Sequence, residues 1–236
     1  MTRTKSVNKK KVGIITGSGP EAGIDLWAKI LKANKKSLEG KFRGDIDAPY
    51  IIIYSIPDLG RSMDLNKYEE EVRECLVDVV KKISTDVDLF CIACNTLHYY
   101  IQDIKGLTLK AEFVSIVDAV IKYVEQNKIK EIAILGSFYG MKINKWKIYS
   151  PLHEISDVKS PKDFEKVHEL VYDIKRLGPG APTIETRFKS ILEQFDTKNI
   201  LLACTELPLV KVDTPDINLI DSTDLLAKEI VRKILK

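Results

Sequence analysis

Phe90-Cys91-Ile92-Ala93-Cys94-Asn95-Thr96 decides the fold once it is set beside Leu201-Leu202-Ala203-Cys204-Thr205. Each is an unbroken apolar run that stops at a cysteine followed by short polar residues. A run without polar alternation suits a strand buried on both faces, as in a parallel sheet. A second matched pair lies upstream in each half. Lys11-Val12-Gly13-Ile14-Ile15-Thr16-Gly17-Ser18 and Glu131-Ile132-Ala133-Ile134-Leu135-Gly136-Ser137 are both apolar strands running into small-residue turns. Two matched pairs in the same order point to two like α/β units rather than a solenoid.

Outward from these runs, strands are expected at Val12–Thr16, Tyr50–Ser55, Leu89–Cys94, Phe113–Ile116, Ile132–Ser137, Ile200–Thr205 and Ile217–Ile220. Helical stripes fill the intervals: Ile24, Trp27, Ala28 and Leu31; Tyr68, Val72, Leu76, Val79 and Ile83; Ile184, Phe188, Ile191 and Phe195. Apolar residues at this spacing occupy one helix face, and each stripe is expected to face the core. Strand–helix alternation predicts an α/β fold with mostly parallel sheets, and the matched halves predict two similar Rossmann-like domains that, if packed about a pseudo-twofold, leave a cleft between them. The expected division is 11–112 plus 214–236 for the first domain and 113–213 for the second, with 1–10 a disordered tail. The conspicuous loop Gly178-Pro179-Gly180-Ala181-Pro182 breaks a helical run in the second half.

The chain has 236 residues, 44% hydrophobic and 30% charged, which excludes the disordered and collagen-like classes. Lys and Arg total 37 against 34 Asp and Glu, so the charge is nearly balanced and gives no nucleic-acid footprint. No apolar stretch approaches a membrane span and no secretory signal is visible, so a cytoplasmic location is expected. Four cysteines are too few for a disulfide scaffold at this length.

Chemistry concentrates at Cys94 and Cys204, each closing a strand run. The carboxyl ends of parallel strands open into the ligand crevice. Two such ends facing one another would set a thiol on either side of a small ligand. That arrangement suits removal of a proton from one face of a carbon and its return on the other. Thiols near a helix N-terminus or a cation lose their protons nearer neutral pH, which general acid–base work requires. Asn95, Thr96, Thr205 and Ser18 are candidate hydrogen-bond donors, while Glu206 and His98 stand beside the thiols. Cys91-x-x-Cys94 is not read as a redox or zinc motif, because Cys91 lies inside a strand and no second cysteine pair exists. Thr16-Gly17-Ser18-Gly19-Pro20 lacks the spacing of a nucleotide fingerprint.

Three segments together resemble the aspartate/glutamate racemase family. They are Gly13-Ile14-Ile15-Thr16-Gly17-Ser18-Gly19-Pro20-Glu21-Ala22, Cys94-Asn95-Thr96-Leu97-His98 and Cys204-Thr205-Glu206. The resemblance runs from Lys11 over nearly the whole chain. It implies a homodimer of two-domain subunits with the site between domains, and two-base proton exchange at Cα with neither pyridoxal phosphate nor metal. Ile56-Pro57-Asp58 resembles the family segment that precedes a carboxylate-binding Arg; here Leu59 holds that position, and Arg61, two residues later, is expected to reach the same carboxylate from a shifted loop. By the same resemblance Tyr172 and Ser137 match residues near the substrate, and Arg176 falls at a substrate-binding Lys, with Lys175 beside it. Ser55, closing the second strand run, joins the expected substrate-binding set. Gly140, Thr16 and Gly23 depart from the family pattern.

The expected activity is racemisation of an amino acid, aspartate or glutamate first, with Cys94 and Cys204 as acid and base and no cofactor. The expected partner is a small amino-acid or carboxylate substrate, with no nucleic acid and no membrane. Isomerisation of another small carboxylate or hydantoin is a second reading, favoured by Leu59. A non-catalytic ligand-binding protein is a third; the paired cysteines argue against it.

Overall fold

Strand β1 (Lys11–Thr16) is buried at every residue after Lys11, as its apolar run requires. The computed structural model describes residues 9–142 and 146–236. Residues 1–8 of the expected tail therefore lie outside the described residues, and Lys9 and Lys10 are exposed. β1 is flanked by β2 (Tyr50–Ser55) and β3 (Leu89–Ile92), with β4 (Glu112–Val114) beyond β3, all parallel. A second parallel sheet contains β5 (Glu131–Gly136), β6 (Asp157–Lys159), β7 (Asn199–Ala203) and β8 (Asn218–Asp221). The orders are β2-β1-β3-β4 and β6-β5-β7-β8, so the two halves share one topology.

In each sheet the chain visits one neighbour of its first strand and then crosses to the other side. That reversal is a topological switch point, and it opens a crevice at the carboxyl ends of the two central strands. The turns following β1 and β3, and those following β5 and β7, therefore carry the residues best placed for chemistry. The strands end earlier than the runs Leu89–Cys94 and Ile200–Thr205 read from sequence: β3 stops at Ile92 and β7 at Ala203, leaving both cysteines in the turns just beyond. β6 was not anticipated, because Asp157-Val158-Lys159 is a short, largely polar edge strand with no apolar run to mark it.

The connecting helices are α1 (Pro20–Leu38), α2 (Leu65–Ile83), α3 (Ile101–Lys105), α4 (Ile116–Gln126), α5 (Phe138–Met141), α6 (Leu152–Ile155), α7 (Phe164–Leu177), α8 (Pro182–Leu192) and α9 (Ser222–Ile234). Among the described residues no helix is long and apolar enough to cross a membrane. The strand period of two divides the second sheet between two cores. Ile132, Ile134, Leu201 and Ala203 join the core of the first half. Ala133, Leu135, Ile200, Leu202 and Cys204 point the other way, onto α7 and α8.

Two expectations are corrected. The stripe Ile24, Trp27, Ala28 and Leu31 does not face the core: Ile24 is 64% and Trp27 42% exposed, and Ala28 is exposed too. α1 buries Ala22, Gly23, Leu26, Ile30 and Asn34 instead. The helix carries apolar residues on two faces, and spacing alone does not say which turns inward. Sheet membership also differs from the expected boundaries. Phe113 and Val114 pair in the first sheet, and residues 218–221 pair with β7 in the second. Only after β8 does the chain return, and α9 then packs along α1 and against α4.

Candidate active site

After β1 the backbone turns sharply through Gly17 and Gly19, at φ 119° and 98°. A Cβ on Gly17 would lie 2.0 Å from the Ile56 carbonyl oxygen, and one on Gly19 would lie 2.0 Å from Glu206 Oε1. Glycine is needed at both for sign of φ and for space. The Thr16 hydroxyl donates to the Gly19 carbonyl at 2.9 Å, closing the turn, and Pro20 opens α1. Between the two glycines sits Ser18. Its Oγ accepts from the Cys94 thiol at 3.5 Å and lies 2.7 Å from Ser62 Oγ. Ser62 comes from the helical turn Pro57–Asp64 and is fully buried.

The second half contributes the turns after β5 and β7. Ser137, after β5, caps α5 by accepting from the Gly140 N–H at 3.3 Å, and its hydroxyl shares a 2.7 Å hydrogen bond with Thr96. After β7 the Cys204 thiol donates to Glu206 Oε2 at 2.9 Å. The single hydroxyl hydrogen of Thr205 has two acceptors in reach, the same oxygen at 3.2 Å and the Ala93 carbonyl at 3.4 Å. The other Glu206 oxygen is ion-paired with Lys175 from α7. Asn95 accepts from the Tyr149 hydroxyl and donates to Ser222 Oγ at 3.3 Å. The turns after β3 and β7 are thus tied across the two halves.

Burial pushes both thiols above their ordinary value, Cys204 well above. For Cys94 the Ser18 hydrogen bond is the largest opposing influence; Glu206 raises it further and Lys175 lowers it. For Cys204 the adjacent Glu206 carboxylate adds to burial, and Lys175 opposes. Burial pulls Lys175 down, yet Glu206 and then the two thiols hold its ammonium above the usual lysine range. The Tyr149 hydroxyl is raised by burial first, then by Cys204 and Cys94. Both sulfurs therefore act on the same neighbours. A thiolate at either is favoured by one cation and opposed by one carboxylate.

His98 is a packing residue. Its Nε2 accepts from the Ile116 N–H at 3.2 Å, so Nδ1 carries the hydrogen given to the Cys94 carbonyl at 2.9 Å. Burial lowers its pKa to about 4, keeping the ring neutral. It fixes the backbone of Cys94 rather than the sulfur.

Of the residues anticipated from sequence, the structure gathers Ser18, Asn95, Thr96, Ser137, Thr205 and Glu206 around Cys94 and Cys204. It does not bring the others there. Ser55 is exposed at the end of β2. Arg61 is half exposed, its guanidinium over the Tyr68 ring and 3.7 Å from Asp58. Tyr172 is exposed, with its hydroxyl on the Met63 carbonyl at 3.5 Å and its ring against His168. The Arg176 side chain is 74% exposed and paired with Asp173, whereas that of Lys175 is 19% exposed and paired with Glu206. Helix period explains the correction: Val171 and Ile174 of α7 are buried, position 175 shares their side, and position 176 turns away. That stripe was readable and would have selected Lys175. Ser62, Tyr149 and Ser222 carry no local signal, since their partners are distant in sequence.

Comparison with known proteins gives one consistent picture. Residues 15–230 match the family described as Asp/Glu/Hydantoin racemase. The chain is similar to the broad specificity amino-acid racemase RacX of Bacillus subtilis (strain 168), 28% identical over 240 residues, covering 95% of this chain and 98% of that protein. Its fold is similar to aspartate racemase of Picrophilus torridus, with a TM-score of 0.79 and 22% identity, covering 96% of this chain and 95% of that one. An aspartate racemase homologue from Pyrococcus horikoshii OT3 gives 0.73 and 22%, covering 96% of this chain and all 100% of its own.

Proposed function

Because the chain belongs to the Asp/Glu/Hydantoin racemase family, we propose that it racemises an amino acid without a cofactor, by two-base proton transfer between Cys94 and Cys204. The observation that carries this reading is the pair of strand-end thiols, one from each half, which share Lys175, Glu206 and Tyr149 as neighbours. Lys175 is the cation beside the thiols, and a substrate carboxylate would pair with it. Ser18, Thr96, Ser137 and Thr205 bring hydroxyls to the strand-end turns that carry or contact the two thiols. Asn95 already satisfies its oxygen and its amide, and so acts by holding the turn after β3 in place.

In the reaction, the thiolate on one face removes the α-proton and becomes a thiol. The thiol on the other face gives its proton to Cα and becomes the thiolate. The carbanion between these steps places charge on the carboxylate oxygens, where Lys175 and fixed hydroxyl donors in a dry site stabilise it. Each turnover leaves the two cysteines with exchanged protonation states, ready for the opposite isomer.

Aspartate and glutamate are the first substrates to test. The broad specificity in the name of the Bacillus relative supports a wider panel. Leu59 is fully buried and Arg61 lies over Tyr68, so among the described residues Lys175 is the cation paired at the thiols. A substrate with a single carboxylate, including one that is not an amino acid, fits that balance and is the second reading. The exposed Ile24 and Trp27 on α1 support a homodimer through that face, in a cytoplasmic setting.

The test is α-proton exchange in D2O, followed by NMR, for both isomers of a panel of amino acids. Wild type should exchange and interconvert at least one pair, and Cys94→Ala and Cys204→Ala should each stop interconversion while keeping the fold. Racemisation persisting in either variant would refute the two-base scheme. Loss of activity to hydroxylamine would point to a pyridoxal enzyme instead.

A further inference from the structure

The two thiols have chemically unlike partners. Cys204 donates to a carboxylate oxygen of Glu206 at 2.9 Å. Cys94 donates to a hydroxyl, Ser18, which is itself 2.7 Å from the hydroxyl of Ser62. An ionised carboxylate only accepts, whereas a hydroxyl both donates and accepts and turns to suit its neighbour. Ser62 is fully buried, and among the described residues Ser18 is the hydrogen-bond partner of its side chain.

We propose that Ser62, acting through Ser18, is a positioning residue that makes Cys94 the thiolate of the resting pair, while Cys204 keeps its proton on Glu206. This rests on the reading of Cys94 and Cys204 as the proton-transfer pair. The hydrogens along Cys94–Ser18–Ser62 favour the thiolate. With Cys94 as a thiol, three hydrogens share two hydrogen bonds, and one buried hydrogen is left without an acceptor. With Cys94 as a thiolate, Ser62 donates to Ser18 and Ser18 donates to sulfur, so both remaining hydrogens are used. A buried hydroxyl without a partner is costly, and successive hydroxyls polarise one another toward the charge. When the Cys94 proton leaves the sulfur for solvent or for Cα of the substrate, the two hydroxyls need only rotate; no proton travels along the chain.

At Cys204 the balance is reversed, because a thiolate there would lie against the acceptor-only oxygen of Glu206. The remaining groups facing the sulfurs act on both. Lys175 from α7 and Glu206 after β7 influence each thiol, and both thiols in turn raise the Tyr149 hydroxyl. His98 is neutral and bonded to the Cys94 carbonyl. The difference between the thiols therefore comes from Ser18–Ser62 on one side and the direct Glu206 contact on the other.

The test is alkylation by iodoacetamide between about pH 6 and about pH 10, since thiolate is the reacting form, with each cysteine quantified by peptide mass mapping. Cys94 should show the lower midpoint in wild type. Ser62→Ala should raise the Cys94 midpoint by about one pH unit, roughly a tenfold loss of thiolate below it, and leave Cys204 where it was. Ser18→Ala should shift Cys94 at least as far. Thiolate absorbance near 240 nm in Cys204→Ala, with and without Ser62→Ala, gives the Cys94 midpoint without reagent access. A lower midpoint for Cys204 than for Cys94, or an unmoved Cys94 in Ser62→Ala, would overturn the proposal. A packing change at Ser62 would move both thiols or lower the melting temperature, and that outcome also counts against it. No substrate is needed, so the midpoints judge the relay, and turnover in D2O separately judges the racemase reading.

Discussion

Lys175 and Arg176 are sequence neighbours of the same charge, yet one is buried against Glu206 and the other extends into solvent beside Asp173. A cation that stabilises developing carboxylate charge in a dry site is worth several kcal/mol, and a solvated one very little. Lys175→Ala should therefore lower kcat/KM by on the order of a hundredfold or more, and Arg176→Ala should stay near wild type. Comparable losses in both would show that α7 is turned differently during turnover. His98 gives a second prediction at this scale. Its folded pKa of about 4 lies below the ordinary 6.5, because burial disfavours the charged ring. Below about pH 6.5 the unfolded chain takes up a proton that the folded one refuses, so this stability is complete above that pH and lost as pH falls toward about 4. The loss is about 3 kcal/mol. Urea unfolding across that range should show it, and His98→Gln should remove this contribution to the slope.

At the scale of elements, α1 separates a core face from an apolar face turned to solvent. Leu26 is fully buried and Ile24 is not. Leu26→Ala should destabilise by about 2–5 kcal/mol, and Ile24→Ala should change monomer stability by less than about 1 kcal/mol. The exposed face belongs to the proposed dimer, so Trp27→Glu should convert dimer to monomer in sedimentation equilibrium without lowering the melting temperature of the subunit. A wild-type monomer would remove that assignment and leave the core prediction standing. The same helix shows why a pattern of apolar spacing identified an element without identifying its inner face. Leu26 and Ile30 form one stripe and Ile24, Trp27 and Leu31 another, and both fit a helical period. On α2 a single stripe exists, and Val72, Leu76, Val79 and Ile83 are all buried.

Across the whole molecule, the two halves are joined by buried polar bonds beside the thiols. Asn95 is held by Tyr149 and Ser222, and Thr96 by Ser137. Tyr149→Phe leaves the Asn95 oxygen without its donor in a buried place, which should cost about 1–3 kcal/mol. Unfolding in urea measures that cost, and a parallel fall in racemisation would show that these bonds hold the cysteines in register. Unchanged stability would mean that Asn95 finds another donor. The return of α9 onto α1 and α4 after β8 further ties the chain end to the first half, so loosening one half should be felt in the other.

Strand runs such as Val12–Thr16 and Ile200–Thr205 were legible from composition, because strands buried on both faces read as near-continuous apolar runs. The same runs located Cys94 and Cys204 at strand ends, since an apolar run stops where the backbone leaves the sheet. Gly17 and Gly19 were also visible as a turn, although only the fold shows the Ile56 carbonyl and the Glu206 carboxylate against them. Sheet order, the inward face of α1, the choice of Lys175 over Arg176, and the approach of Ser62 to Ser18 were decided by tertiary structure. Each depends on which surfaces meet after the chain has crossed the sheet, and spacing along the sequence records a period but not the partner that covers it.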